Sequence, residues 1–228
     1  MILVDTVYQR VLALANKEQR GYITPQEFNL LANQAQMEIF EQYFYDQKSE
    51  DQNLKNSTEF SNVDEMLDEK LSIFKNTQAL TVTGSTGTLP SNMYRLGSLF
   101  YASSLIEVEQ VTEEELMYLQ QSPLAKPSTY CPAFVRSGGS TVTLYPSPTT
   151  AINLNYIRTP AKVVWGYAVI NDKALYNNGS STNFELHGGD ETELVYKILS
   201  LAGITIAKPG LGTYAEQQIT AQKTQEKQ

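Results

Sequence analysis

The chain is short of the residues on which disulfides, metal sites and membrane spans depend. Its 228 residues include one cysteine and one histidine. Cys131 cannot form an internal disulfide, and the surrounding TYCPAF has no metal-binding spacing, so we interpret it as a small residue in a strand or turn. The longest apolar runs fall far short of the roughly 18 residues that a membrane helix needs. We therefore expect no membrane association.

Positive charge is also scarce. Lysine and arginine total 17 against 25 acidic residues, which gives a net charge of −8. A protein that binds the phosphate backbone as its main task needs clustered basic residues, so we expect no sequence-specific nucleic-acid binding. The opening MILVDTVYQR has an acid where a signal peptide has positive charge, which predicts synthesis and retention in a cytosol.

Candidate catalytic groups are few. His187, the single histidine, lies in ELHGGDE just before a predicted helix, and its partners in a triad or metal site cannot be identified from the sequence. TGSTGT, from residue 83, lacks the lysine of a phosphate-binding loop and predicts a β-turn. The acids at 64–65 and 113–115 occupy predicted first helical turns. We predict no catalytic, cofactor-binding or metal-binding residues and no enzyme activity, and keep a hydrolase that uses His187 as a minor alternative.

The segment NKEQRGYITPQEF, residues 16–28, resembles part of a calcium-binding EF-hand loop. Arg20 occupies a ligand position, and a guanidinium group has no lone pair to offer a cation. The alternative is a boundary between two helices: Gly21 ends the first, while Thr24 and Glu27 form a capping box at the start of the second. We expect this boundary and no calcium binding.

Hydrophobic periodicity predicts three N-terminal helices, a β-rich block and a C-terminal helix. The C-terminal helix is predicted over GGDETELVYKILSLAGI, with Asp190 as its cap and an apolar stripe of Leu194, Val195, Ile198 and Leu201. The third helix is predicted over NVDEMLDEKLSIFKN, with Phe74 on its apolar face.

From residue 78 to about 187 the period is two. AFVRSGGSTVTLYPSP predicts a hairpin with a GG turn, and AINLNYIRTP predicts the next strand, with Ile152, Leu154 and Tyr156 on one face. A short helix in TEEELMYLQQSP interrupts the block, with Thr112 and Glu115 at capping-box spacing. The predicted fold class is α+β: an antiparallel helical bundle from residues 1–77 and 188–228, with 78–187 inserted as a β-rich subdomain.

Two aromatic segments are candidate interfaces. Tyr43, Phe44 and Tyr45 are consecutive on a predicted helix, so their rings point in different directions and one core face cannot bury all three. Core packing and contact with another chain both remain open for them. The C-terminal TYAEQQITAQKTQEKQ has few large apolar residues, with Tyr214 and Ile219 as its credible anchors.

Several turn and strand motifs together resemble a known family: LPSNMYRL, SPLAKPSTYCPAF, LYPSP, NYIRTP and FELHGGDETELVYKILSLAGI. They are similar to the ring-forming head-tail adaptor proteins of short-tailed bacteriophages, such as tail tubular protein A and the crAss-like phage ring proteins. The resemblance implies a virion structural protein, made in the bacterial host cytoplasm and located at the head-tail junction. It implies no enzymatic step and no cofactor.

The resemblance also implies a set of partners. The family forms a closed homo-oligomeric ring, twelve-fold in its relatives, that binds the portal protein and further tail or neck proteins and lets DNA pass. The chain end commonly reaches toward the portal, which makes Tyr214 and Ile219 candidate docking residues. An acidic wall would hold DNA weakly as it slides. The alternative function is another tail or neck protein-binding module, namely a tail tube, a fibre attachment protein or an assembly factor.

Overall fold

The computed structural model describes residues 1–17, 23–53, 63–171, 173–205, 217–218 and 220. The α-helices within these ranges are α1 (Val4–Lys17), α2 (Pro25–Asn53), α3 (Val63–Ser72), α4 (Glu113–Gln121) and α5 (Glu191–Thr205). The chain divides into two compact units. The helical unit is Met1–Ile73 with Pro160–Gln228, and the sheet unit is Phe74–Thr159.

Ten β-strands occur in the described residues. They are β1 (Lys75–Ala79), β2 (Thr81–Thr83), β3 (Thr86–Thr88), β4 (Met93–Tyr101), β5 (Glu107–Gln110), β6 (Ala133–Ser137), β7 (Thr141–Tyr145), β8 (Ile152–Arg158), β9 (Tyr167–Ile170) and β10 (Lys173–Tyr176). The α+β class predicted from periodicity is thus confirmed. The division at residues 78 and 187 stays a prediction, and β9 and β10 belong to the helical unit.

Local sequence signals explain where the first two helices form. In α1, Val4, Val7 and Val11 repeat at helical spacing and are fully buried. At the start of α2, the Thr24 backbone N–H donates to the Glu27 carboxylate at 2.9 Å, and the Glu27 N–H donates to the Thr24 hydroxyl at 3.3 Å. This confirms the predicted capping box. Arg20 and Gly21 lie outside the described residues.

An amide ladder on α2 holds the segment that enters the helical unit after residue 159. The Asn33 side chain accepts from the Val163 N–H at 2.9 Å and donates to the Val163 carbonyl at 2.8 Å. The Asn29 side chain likewise accepts from the Trp165 N–H at 2.7 Å and donates to the Trp165 carbonyl at 3.3 Å. The Gln36 side chain donates to the Ala161 carbonyl at 2.8 Å. The side-chain amides thus supply hydrogen-bond partners to the backbone groups of alternate residues in an extended segment, as a neighbouring strand would.

The sheet unit contains one eight-stranded sheet in the order β1-β8-β4-β5-β6-β7-β3-β2. Its pairs are antiparallel except β5 with β6. The SGGS turn of the predicted hairpin joins β6 and β7, and Gly138 has a φ of 73°, which a glycine adopts without a Cβ clash. Along β8, Ile152, Leu154 and Tyr156 are buried as the alternation predicted.

The predicted end of the third helix is wrong. Helix α3 ends at Ser72, and β1 begins at Lys75 within the predicted helical stretch. Lys75–Ala79 pairs with β8 from Ile157 back to Asn153, and the Phe74 carbonyl accepts from the Arg158 N–H at 2.9 Å. Long-range strand pairing satisfies these backbone groups, which overrides the local helical period.

Packing in the helical unit brings α5 against α1 and α2, and α3 against α2. Helix α5 begins close to its predicted position, and Leu194, Val195 and Ile198 of its predicted stripe are buried. No helix in the described ranges is both long enough and apolar enough to cross a membrane.

Candidate functional site

The five predicted interface residues lie in different environments. Tyr43 is buried, Phe44 is half-buried and packs edge-on against Phe40 with ring centroids 5.2 Å apart, and Tyr45 is 74% exposed. Tyr214 and Ile219 lie outside the described residues. Their role as interface residues stays a prediction. Among the three described rings, that of Tyr45 is the one most accessible to a partner.

A buried ion pair explains the position of Tyr43. The Lys70 ammonium lies 2.7 Å from one carboxylate oxygen of Asp190, and the Tyr43 hydroxyl donates to the other. Asp190 is 1% exposed and Lys70 is 7% exposed. Burying a charge is costly unless it is paired, so these three side chains join α2, α3 and the turn before α5. From sequence Asp190 suggests a helix cap, and nothing local identifies Lys70 as its partner.

His187 stabilises a turn. Its Nδ1 accepts from the Gly189 N–H at 3.2 Å at the start of the 3₁₀ helix Gly188–Asp190. Its Nε2 lies 4.0 Å from a carboxylate oxygen of Glu69. Within the described part of the chain, no group of three or more His, Cys, Asp or Glu side chains is arranged to hold a metal ion.

Strands β9 and β10 form a hairpin whose apolar side chains face solvent. Val169 is 65% exposed, Ile170 54% and Leu175 50%. Each strand pairs with the other over four residues, and neither pairs with another strand in the described residues. A two-stranded hairpin is only marginally stable in water, and exposed apolar groups on it are typical of a protein contact. We call these three side chains the hairpin surface.

The base of the hairpin is anchored to the helical unit. The rings of Tyr167 and Tyr176 each lie 5.8 Å from that of Trp165, centroid to centroid. Trp165 is buried, packs against Tyr8 at 4.3 Å and donates from Nε1 to Asp5 at 3.0 Å. A fixed base with an exposed tip is suited to present the hairpin surface to another chain.

A second exposed apolar region lies on α4 of the sheet unit. The inner face of this helix packs Leu116 and Leu119 against Val111, Ala133 and Val135. Its outer face carries Met117 at 62% and Tyr118 at 74% exposure. The loop that follows adds Leu124 and Tyr130, which are 99% and 83% exposed. Cys131 is exposed in the same loop.

A cleft of about 430 Å³ lies between β5 and α4. On one side it is lined by Glu109 and Gln110 of β5 and by Val111, which follows β5. On the other side it is lined by Glu115, Tyr118 and Leu119 of α4. We call it the β5–α4 cleft. Its lining combines the apolar side chains of Val111 and Leu119 with one glutamate from each of the two elements.

Glu115 belongs both to this cleft and to the capping box of α4. Its carboxylate accepts from the Thr112 N–H at 2.8 Å and from the Thr112 hydroxyl at 2.9 Å. These hydrogen bonds, the backbone one first, lower the pKa of Glu115 below its usual value. The capping box predicted at TEEE is confirmed, and its acid is ionised at neutral pH.

Comparison with known proteins decides what kind of protein carries these surfaces. Residues 4–172, about three quarters of the chain, match the family described as SU10 adaptor protein. The chain belongs to the SU10 adaptor protein family. The predicted resemblance to phage head-tail adaptors is thereby confirmed. No curated protein matches the chain.

Membership of the SU10 adaptor family makes the chain a phage structural protein that interacts with other head or tail proteins at the head-tail junction of the virion. In such a protein the functional sites are surfaces. The hairpin surface and the β5–α4 cleft were not found by sequence reasoning. The sequence signal for the hairpin surface is the pair of apolar segments YAVI and KALY on either side of Asn171. The sequence signal for the cleft is the presence of apolar residues at outer positions of α4.

Proposed function

We propose that this SU10 adaptor assembles as a closed homo-oligomeric ring below the portal, joins the capsid to the tail and lets DNA pass. The ring is twelve-fold in this proposal, in line with the family resemblance. Each subunit contacts its neighbour through two different patches, as ring closure requires. The observation that carries the proposal is the hairpin surface: exposed apolar side chains on two strands that, among the described residues, pair only with each other.

The hairpin surface supplies one of the two patches. Burial of Val169, Ile170 and Leu175 against a neighbouring subunit would remove apolar area from water. The outer edge of β9 or β10, which pairs with no further strand in the described part of the chain, would gain hydrogen-bond partners. A negative net charge of −8 supports a channel that does not hold DNA phosphates.

We further propose that the helices of the helical unit form an antiparallel bundle with residues 78–187 as a β-rich insertion. The packing of α5 against α1 and α2 supports the bundle. An electron cryo-microscopy map of the assembled ring would test it: helices that cross at steep angles around α2 would contradict it.

The assembly proposal is tested with a charge-substituted hairpin. Ile170→Glu with Leu175→Glu alters two exposed side chains, so the subunit should fold and melt as the wild type does, yet remain monomeric. Native mass spectrometry and negative-stain images, with and without added portal protein, measure the assembly. Leu30→Glu on α2, at a position 74% exposed, is the matched control and should leave rings intact.

The outcomes separate the parts of the proposal. Rings that persist in the double variant would place the subunit contact elsewhere. A wild-type chain that stays monomeric and fails to decorate the portal would refute the connector role. A monomer that binds a tail or fibre protein instead would favour the alternative of a neck or tail binding module.

A further inference from the structure

We propose that the β5–α4 cleft is a docking site for a peptide segment of a partner protein that presents a large apolar side chain beside a lysine or arginine. The site lies within the sheet unit. It is independent of the ring contact assigned to the hairpin surface. The occupant follows from three features of the cleft: its size, its walls and its charge.

The size and walls of the cleft indicate side-chain binding. Its volume of about 430 Å³ accommodates one or two large side chains rather than a folded domain. Val111 is 8% exposed and Leu119 is half-buried, so they form an apolar floor, while the Tyr118 ring at the edge is 74% exposed. An exposed aromatic ring above an apolar floor is typical of the anchor pockets at protein interfaces.

The charge of the surrounding segment selects a basic partner. Residues 107–121 contain five glutamates and no lysine or arginine. Glu109 on β5 and Glu115 on α4 line the cleft from its two sides. A cation that enters between them gains attraction from both carboxylates, whereas an acidic segment is repelled.

Helix stabilisation accounts for only part of this pattern. Glu113, Glu114 and Glu115 lie in the first turn of α4, where acids favour the helix dipole and the capping box. Glu109 is on a strand, and neither the dipole nor the capping box explains a glutamate among the residues that line the cleft. Nor does either explain why the Tyr118 ring, which lines the cleft, is 74% exposed. Docking of an apolar and basic segment accounts for both.

The test starts from a displayed library of random 12-residue peptides selected on the intact wild-type chain. Enriched peptides are synthesised, and their affinities are measured by fluorescence anisotropy against the wild type, Glu109→Gln, Tyr118→Ser and Glu65→Gln. Glu65 is an exposed glutamate on α3 in the helical unit, so its variant controls for loss of one negative charge. Thermal melts confirm that each variant is folded.

Enrichment of peptides that pair lysine or arginine with a large apolar residue is expected. Glu109→Gln should weaken their binding by about fivefold, the effect of one rim ion pair, and Tyr118→Ser by about tenfold or more. Glu65→Gln should leave the affinity unchanged. Native mass spectrometry should show the same assembly for all four proteins, so a failure of ring formation in the wild type bears on the assembly proposal alone.

Several results would overturn the inference. The cleft is not a docking site if no peptide is enriched, or if the enriched peptides bind Tyr118→Ser as tightly as the wild type. Enrichment of acidic or uncharged peptides would refute the stated partner chemistry. An equal loss of peptide affinity in Glu65→Gln would show that the peptides respond to the overall negative charge of the protein and not to the cleft. Loss of rings in Tyr118→Ser would identify the cleft as a contact between copies of this chain.

Discussion

Asp190 is a carboxylate withdrawn from water, and its environment shows how one side chain can determine local architecture. Its oxygens bind the Lys70 ammonium and the Tyr43 hydroxyl, and Lys70 also lies 5.7 Å from the centroid of the Tyr43 ring. Because three elements contribute to this cluster, removing one partner leaves the others buried and uncompensated. At the residue scale, this buried cluster is therefore a polar contact on which the stability of the helical unit depends.

We predict that Lys70→Met lowers the free energy of unfolding by about 3 kcal/mol or more, since it leaves the Asp190 charge without its cation. Urea denaturation of the dilute subunit measures the loss. Lys197→Met is the matched control: Lys197 pairs with Glu38 at 2.9 Å on a partly exposed surface, and its loss should cost less than about 1 kcal/mol. Equal losses in the two variants would contradict the special role of the buried pair.

At the scale of the element, α2 has two tasks. Its capping box sets where the helix starts, and its amide ladder holds residues 161–165 in an extended conformation. Asn29, Asn33 and Gln36 follow helical spacing, so one face of α2 can satisfy alternate backbone groups of a single segment. The ladder also positions Trp165, on which the hairpin base packs.

The ladder predicts a cost for losing one amide. In Asn33→Ala the N–H and carbonyl of Val163 lose both side-chain partners, so the free energy of unfolding should fall by about 2 kcal/mol. Gln34→Ala removes a neighbouring exposed amide that donates a hydrogen bond to Glu38. This control should change the free energy of unfolding by less than about 0.5 kcal/mol. Chemical denaturation measures both. If Asn33→Ala is as mild as Gln34→Ala, the ladder does not contribute to stability.

The capping box of α2 predicts a dependence on pH. Hydrogen bonds from the Thr24 backbone and then its hydroxyl lower the pKa of Glu27. Because the folded pKa is lower than the unfolded one, this stabilisation is present above the unfolded pKa of about 4.5 and is lost as pH falls through the folded pKa. The difference in melting temperature between wild type and Glu27→Ala should therefore be largest near neutral pH and shrink on acidification.

Melting curves between about pH 7 and about pH 3 test this prediction. Glu41→Ala makes the same substitution at an exposed position of the same helix. Its difference in melting temperature from the wild type should not shrink on acidification. A Glu27→Ala difference that stays constant into acid would show that the carboxylate does not act through the capping box.

At the scale of the whole molecule, the chain forms two compact units, and the sheet unit is an insertion within the sequence of the helical unit. It leaves the helical unit after Ile73, forms the sheet unit and returns at Pro160. Each unit carries its own exposed apolar region: the hairpin surface on one, the outer face of α4 on the other. An adaptor that must contact several neighbours can thus use different units for different partners.

The C-terminal segment yields the prediction at this scale. Residues 213–228 contain few large apolar side chains, so their burial in a single subunit cannot offset about 1 to 2 kcal/mol of backbone entropy per ordered residue. Deleting them should spare the melting temperature of the subunit but weaken its capture by the portal. Melting curves and a portal pull-down measure the two effects. An unfolded truncation would show that the segment contributes to the stability of the single subunit. Unchanged capture would refute docking through Tyr214 and Ile219.

The sequence by itself determined the features that depend on neighbouring residues. The two capping boxes, the β6–β7 hairpin and the alternating burial of β8 were predictable, since turn chemistry and side-chain period are local. Only the tertiary structure decided that Lys70 pairs with Asp190, 120 residues away, and that Lys75–Ala79 is a strand on β8. It also decided which apolar residues of β9, β10 and α4 remain exposed, because exposure depends on what the rest of the chain packs against each face.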